Sequence, residues 1–322
     1  MTIAIVSPAR RGTVNGNAVT ARRWARLLRS LGHRVRLQEQ YDGRSCDALI
    51  ALHARRSAAS AARFHRLYPE RPLIVALTGT DLYHDIGRSA AARRSLELAT
   101  RLVLLQPEGI RELPAHLRRK ARAIIQSAAA PPHAVRPSAS EDFRVLVLGN
   151  LRAVKDPFRA AMAARLLPED SRITVLHAGR ALEPRYEQRA HREMARNPRY
   201  RWLGEVSHAR AQRLLAASRL LVVSSRSEGG ANVVSEALAA GIPVLGSDIG
   251  GTRGVLGADY PGLYPTGDTR SLAGLLERAE RDRAFYSVLR RWCRHLAPLV
   301  RPTQERKAWQ RLIAEVHLKA HS

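Results

Sequence analysis

The chain has 322 residues, 45% of them hydrophobic, which is more length than one core usually serves and enough apolar content for two folded domains. It carries 54 Lys and Arg against 28 Asp and Glu, a formal net charge of +26, and no apolar run approaches the roughly 18 residues of a membrane span. Its two cysteines, Cys46 and Cys293, make no disulfide framework and no metal spacing, so a reducing cytoplasm is the expected setting and no metal or cofactor is expected.

Ile3 to Ser7 reads as a short buried strand, and no basic leader precedes it, so no signal peptide is expected. The loop from Pro8 to Asn17 follows. Across Ala18–Leu31 the apolar Val19, Trp24, Leu27, Leu28 and Leu31 recur at helical spacing, with Asn17 as N-cap and Gly32 as the stop. His33–Leu37 is the next strand, completing a βαβ start. Arg10, Arg11, Thr13, Gly16 and Asn17 then lie between a strand's carboxyl end and a helix N-terminus, where amides and the helix dipole favour anions. A plain connecting loop is the competing reading.

Asp47–His53 and Leu73–Leu77 are further strands with polar ends, His53-Ala-Arg-Arg56 and Thr78-Gly-Thr-Asp81. Thr80 is a candidate donor to an anion and Asp81 a candidate structural acceptor; His53 is read as a strand-end residue or a functional one with equal weight. Arg101–Leu105 and Ala121–Gln126 look like the last strands of this half. Residues 128–140, AAAPPHAVRPSAS, read as a linker, giving expected domains over 1–138 and 139–302 and a final helix within 303–322.

The second half repeats the alternation. Strands are expected at Arg144–Leu148, Arg172–His177, Arg201–Leu203, Leu220–Ser224, Pro243–Gly246 and Leu263–Tyr264. Helices are expected near 157–167, 183–196, 207–217, 231–240 and 269–283. The first strand ends in Gly149-Asn-Leu-Arg152-Ala-Val-Lys155, two cations three residues apart at a strand-to-helix turn, able to aim at one anion. Lys155 is one of four lysines, so the chain's arginine bias does not account for it.

The stretch that organises this half is SSRSEGGANVVSEALAAGIPVLGSDIGG, from Ser224 to Gly251. It reads as strand, Gly-rich turn, helix, strand. The turn over Gly229, Gly230, Ala231, Asn232 and Val233 offers unpaired amides at a helix N-terminus, a setting that suits phosphate. Glu228 stands before the helix and Glu236 on its second turn. A phosphate flanked by two carboxylates is the pattern of a nucleotide-sugar: one carboxylate for a ribose, one for a sugar.

These residues resemble the signature of glycosyltransferase family 4, nucleotide-sugar transferases of the GT-B fold. The resemblance implies two Rossmann-like α/β domains facing across a cleft, with the C-terminal helix returning to the first. It implies that Glu228 reaches the donor sugar, that Glu236 binds the ribose and that the amides of 230–233 hold the diphosphate with Arg152 and Lys155. The segment Thr78-Gly-Thr-Asp81 resembles the family's His-Gly-Thr-Asp with Thr in place of His, and the Gly loop before Asn17 resembles the one that faces the acceptor.

Over nearly its whole length the chain resembles the selenosugar synthases of selenoneine biosynthesis, on Gly12-Thr, Gly16-Asn17, Arg23-Trp24, Leu77-Thr-Gly-Thr-Asp-Leu-Tyr83, Gln126-Ser-Ala and Arg226-Ser-Glu-Gly-Gly-Ala-Asn232. That implies transfer from a UDP-sugar, such as UDP-N-acetylglucosamine, to the selenium of selenophosphate. No residue declares itself as a general base, and an anionic selenium nucleophile needs one less than an alcohol does.

Two other readings stand beside it. One is a transferase with a hydroxyl acceptor on a small molecule, lipid or glycan. The other is a basic nucleic-acid binder, which the 5% aromatic content and the spread of arginine along both halves speak against, so no nucleic-acid partner is expected. Base, sugar, anomeric outcome and oligomeric state are not legible.

Overall fold

A computed structural model of the chain describes residues 1–8, 16–130 and 142–319, the side chain of residue 319 excepted. Arg10, Arg11 and Thr13, and most of the linker read at 128–140, lie outside the described residues. The chain forms two units. One comprises Met1–Gln126, Glu228–Gly230 and Pro302–Ser322; the other comprises Ser127–Ser227 and Ala231–Arg301.

The first unit runs β1 (Thr2–Val6), α1 (Gly16–Ser30), β2 (Arg34–Gln38), β3 (Ala48–Leu52), α2 (Ala58–Leu67), β4 (Leu73–Leu77), α3 (Ala90–Leu98), β5 (Arg101–Leu104) and β6 (Ala121–Ala123). Its six strands are all parallel, in the order β2-β1-β3-β4-β5-β6. The central strands, Ala-Leu-Ile-Ala-Leu and Leu-Ile-Val-Ala-Leu, are buried at every position, as continuous apolar runs are when both faces of a parallel sheet are covered. Val6 pairs with Ala51, Leu52 with Ala76 and Leu77 with Leu104, so the carboxyl ends of the strands share one edge.

The second unit runs β7 (Phe143–Leu148), α4 (Arg159–Ala164), β8 (Ile173–Ala178), α5 (Pro184–Arg196), β9 (Tyr200–Trp202), α6 (His208–Ala216), β10 (Leu220–Val223), α7 (Asn232–Ala240), β11 (Val244–Ser247), α8 (Gly250–Leu256), β12 (Leu263–Tyr264), α9 (Thr269–Arg281) and α10 (Arg283–Leu296). Its strands are also parallel, ordered β12-β11-β10-β7-β8-β9.

The last helix, α11 (Pro302–Lys319), belongs to the first unit. It covers one face of the first sheet. Trp309, Leu312, Ile313 and Val316 join Trp24 and Leu28 of α1 in one apolar cluster, while Phe64, Leu96 and Tyr41 lie in the cluster on the other face. Trp24 and Trp309 meet edge to face with centroids 4.7 Å apart. Two carboxylates anchor the helix. Glu305, 1% exposed, accepts from the Trp24 indole at 2.8 Å and pairs with Arg23 at 3.1 Å. Glu315 accepts from Arg101 at 2.8 Å and from Arg122 at 2.5 Å.

Three expectations about elements need correction. The helix expected at 269–283 stops at Arg281, because Asp282 has an extended backbone and its side chain accepts from the Phe285 amide at 2.9 Å, starting α10. That helix is not anticipated from sequence; its buried face, Phe285, Leu289 and Cys293, is a narrow stripe among arginines. The strand expected over Ala121–Gln126 spans only Ala121–Ala123 at the sheet edge. Helix α1 begins at Gly16, so Asn17 lies inside the first turn and does not cap it from outside. Among the described residues no helix is long and apolar enough to cross a membrane.

Candidate functional site

In an open parallel sheet, ligands bind beyond the carboxyl ends of the strands where the winding reverses. In the second unit β7, β8 and β9 run one way from the centre and β10, β11 and β12 the other, so the reversal falls between β7 and β10. The segments leaving those two strand ends are the ones that carry Arg152 and Lys155 and the start of the Gly-rich stretch.

The β7 segment is held tightly. Gly149 is clasped from the neighbouring strand by His177, whose Nε2 donates to the Gly149 carbonyl at 3.0 Å while its Nδ1 accepts from the Tyr200 hydroxyl at 3.1 Å. The carbonyl can only accept, which fixes the tautomer. Burial pulls the His177 pKa down to about 4, so the ring is neutral at physiological pH. Gly179 must lack a side chain: a Cβ there would run into the Gly149 carbonyl.

Beyond Gly149, Arg152 leads into one 3₁₀ turn, Ala153–Lys155, which ends in Asp156 at φ +43°. The end of β10 staples this turn in place. The Arg226 amide donates to the Val154 carbonyl at 2.8 Å, and the Ser224 hydroxyl lies 3.0 Å from the carbonyls of both Lys155 and Asp156. Asp156 in turn pairs with Arg159 at 2.8 Å. Arg152 is exposed, and its side chain has no hydrogen bond or ion pair among the described residues.

Helix α7 opens at Asn232 after Ala231, an N-cap residue that makes no side-chain cap hydrogen bond. The first-turn amides of a helix lack intrahelical acceptors, so this end is electropositive. Glu236 is half-buried on the second turn, and Gly241 at φ +69° closes the helix. The structure thus brings Arg152, Lys155, Asn232, Val233 and Glu236 to adjoining segments of the second unit. Ser227 is a feature that sequence reasoning missed. Its Oγ is buried without a hydrogen-bond partner, directly before Glu228, and nothing in a serine-rich segment marks it.

Glu228–Gly230 groups with the first unit. There Gly229 packs against the backbone of Thr78 and Gly79 so closely that a Cβ would overlap the Thr78 carbonyl. That close approach, and not a positive φ, is why a Gly stands there.

In the first sheet the winding reverses between β1 and β3. Ser7 follows β1, His53 follows β3, and Thr78–Asp81 follows β4. Asp81 is fully buried, and its carboxylate is taken up by three backbone amides, Thr78 at 2.9 Å, Gly79 at 2.8 Å and Ala54 at 2.9 Å. Thr80 is half-buried and bonded to His53 at 3.2 Å. Gly16 is exposed, with open space where a Cβ would stand, and Asn17 is half-buried. Among the described residues no group of three or more His, Cys, Asp or Glu is placed to hold a metal ion.

Residues 133–294, half of the chain, match the family described as glycosyl transferases group 1. Among solved structures, HepE of Anabaena in complex with UDP superposes with a TM-score of 0.79 at 16% identity, over 98% of this chain and 100% of that one. Sucrose-phosphate synthase of Thermosynechococcus elongatus gives 0.75 at 16% identity, over 98% and 99%. An α,α-trehalose 6-phosphate synthase of Burkholderia multivorans gives 0.69 at 13%, over 85% and 70%. At such identities the likeness is one of fold, and the fold is GT-B. The family match extends through β7, the Arg152–Lys155 turn, β10 and α7, and on it the chain belongs to the glycosyl transferases group 1 family and is a glycosyltransferase.

Proposed function

We propose that the enzyme transfers a sugar from a UDP-sugar, N-acetylglucosamine being the candidate, to the selenium of selenophosphate. The observation that carries the donor half is the pairing of a basic turn, Arg152 and Lys155, with the N-terminus of α7 at the reversal point of the second sheet. HepE, of the same fold, is described in complexes with UDP and with UDP-glucose. In the reaction the selenium lone pair attacks the anomeric carbon as the bond from that carbon to the diphosphate oxygen breaks. The electron pair leaves on UDP. Fixed cations and amide dipoles aimed at the diphosphate stabilise that developing charge without reorganising, while the sugar carbon passes through an oxocarbenium-like state. On this reading Glu228 contacts the donor sugar and Glu236 the ribose.

The acceptor half rests on the resemblance to selenosugar synthases, and the chemistry agrees with it. Asp81 is committed to backbone amides, so it is not available to take a proton from an alcohol. A selenophosphate anion carries no hydroxyl proton that must leave. Purified enzyme should release UDP from UDP-N-acetylglucosamine when selenophosphate is supplied, and not when simple sugar alcohols replace it. UDP release with the alcohols alone would replace this acceptor with a hydroxyl.

A further inference from the structure

His53 follows β3 at the strand ends of the first unit. It is a non-glycine residue at φ +71°, 2% exposed, at the reversal point of the first sheet. Such a backbone costs on the order of 1–3 kcal/mol and persists only where the surroundings over-determine it. Here they do. The His53 amide donates to Ala76 O at 2.8 Å, its carbonyl accepts from the Ser57 amide at 3.0 Å, and the next amide, Ala54, is held by Asp81 at 2.9 Å.

The pinned turn gives the ring a defined polarity. Nδ1 faces the Arg56 amide at 3.4 Å and acts as acceptor, which puts the hydrogen on Nε2. Nε2 lies 3.2 Å from Thr80 Oγ1. Burial pulls the imidazole below its ordinary pKa, although Asp81 and Asp85 each stand 3.9 Å away, and Arg55 occupies Asp85 at 3.0 Å. A neutral His53 therefore donates to Thr80. The Thr80 oxygen accepts this bond through one lone pair and its hydrogen is left to donate; no acceptor for that hydrogen stands among the described residues. On the other side of β3, after β1, Ser7 Oγ, in a residue 5% exposed, has no hydrogen-bond partner. The ends of β1 and β4, which flank β3, thus each present a hydroxyl with an uncommitted proton, and β3 presents the ring that orients one of the two.

We propose that His53 is a positioning residue that turns the Thr80 hydroxyl into a hydrogen-bond donor for the phosphate oxygens of the acceptor, with Ser7 as a second donor at the same strand ends. The inference rests on the reading of the acceptor as a phosphate-bearing anion. An oriented donor favours an anion over a hydroxyl acceptor, which would equally accept or donate.

The test uses the full-length enzyme with selenophosphate and UDP-N-acetylglucosamine. His53→Asn tolerates the left-handed backbone but is too short to place a donor at the Nε2 position. Thr80→Val removes the hydroxyl and keeps the shape. Each should raise the selenophosphate KM roughly tenfold, as loss of one charge-assisted contact does, with UDP affinity by calorimetry unchanged. The double variant should be no worse than Thr80→Val, because both act on one bond, and Thr80→Ser should recover most of the loss. Wild-type selenophosphate KM in Thr80→Val, or a drop in melting temperature in His53→Asn with unchanged KM, overturns the inference and leaves the proposed acceptor standing. Wild-type enzyme that does not turn over selenophosphate removes both.

Discussion

At the residue scale the account turns on two cations. Arg152 is exposed without a side-chain partner, and Lys155 sits on a turn fixed by Ser224 and Arg226. The Arg152 side chain makes no bond within the fold, so Arg152→Ala should leave the melting temperature nearly unchanged, and Lys155→Ala is its companion variant. Each should weaken UDP binding by roughly 1.5–3 kcal/mol, the worth of a hydrogen bond to a charged group. Calorimetry with UDP measures this, and wild-type affinity in the double variant would remove the site. These cations were readable from sequence because a lysine in an arginine-rich chain stands out and because a strand end precedes both. Ser227 and the polarity of His53 were not readable. One depends on an unmet hydrogen bond, the other on a backbone dihedral, and neither leaves a mark on residue order.

At the element scale the interest lies in what holds the site segments to their strands. His177 buttresses Gly149 from β8, and its folded pKa of about 4 lies below the ordinary imidazole value of 6.5. The unfolded chain therefore binds the proton first as pH falls. The neutral ring's contribution is fully present above about pH 6.5 and is lost on the way to pH 4, by about 3 kcal/mol. His177→Gln, which does not titrate, should lose correspondingly less stability than the wild type over that window in urea unfolding; parallel pH profiles would show that the ring is not kept neutral. Helix α11 offers a second case. Removing Glu315 leaves Arg101, with an 8% exposed side chain, without its carboxylate. A fully buried pair broken this way costs about 3–5 kcal/mol, and because Glu315 is itself 31% exposed the expected loss for Glu315→Ala is nearer about 2 kcal/mol. An unchanged denaturation midpoint would mean that apolar packing of Trp309 and Val316 alone holds the helix.

The elements themselves were legible to different degrees. Strands such as Leu73–Leu77 declare themselves as unbroken apolar runs because both sheet faces are covered. Helix α10 does not, since its buried stripe of Phe285, Leu289 and Cys293 is diluted by arginines that read as loop or surface. Asp282 was the missed signal, a side-chain cap for the helix that begins where the expected one should have continued.

At the scale of the whole molecule, two parallel α/β units each end their central strands in chemistry-bearing loops. The second carries cations and a helix N-terminus, the first the Thr80 and Ser7 hydroxyls. A net charge of +26 adds a field that favours anionic substrates for both, and raising the ionic strength should increase the apparent KM for each. The proposed reaction forms a carbon–selenium bond at the anomeric centre. It is tested most directly by carbon NMR of the product made from selenophosphate and a UDP-sugar labelled with ¹³C at the anomeric position. The account predicts an anomeric carbon showing one-bond coupling to ⁷⁷Se. A product whose anomeric carbon is bonded only to oxygen, or no product beside the intact donor, would contradict it.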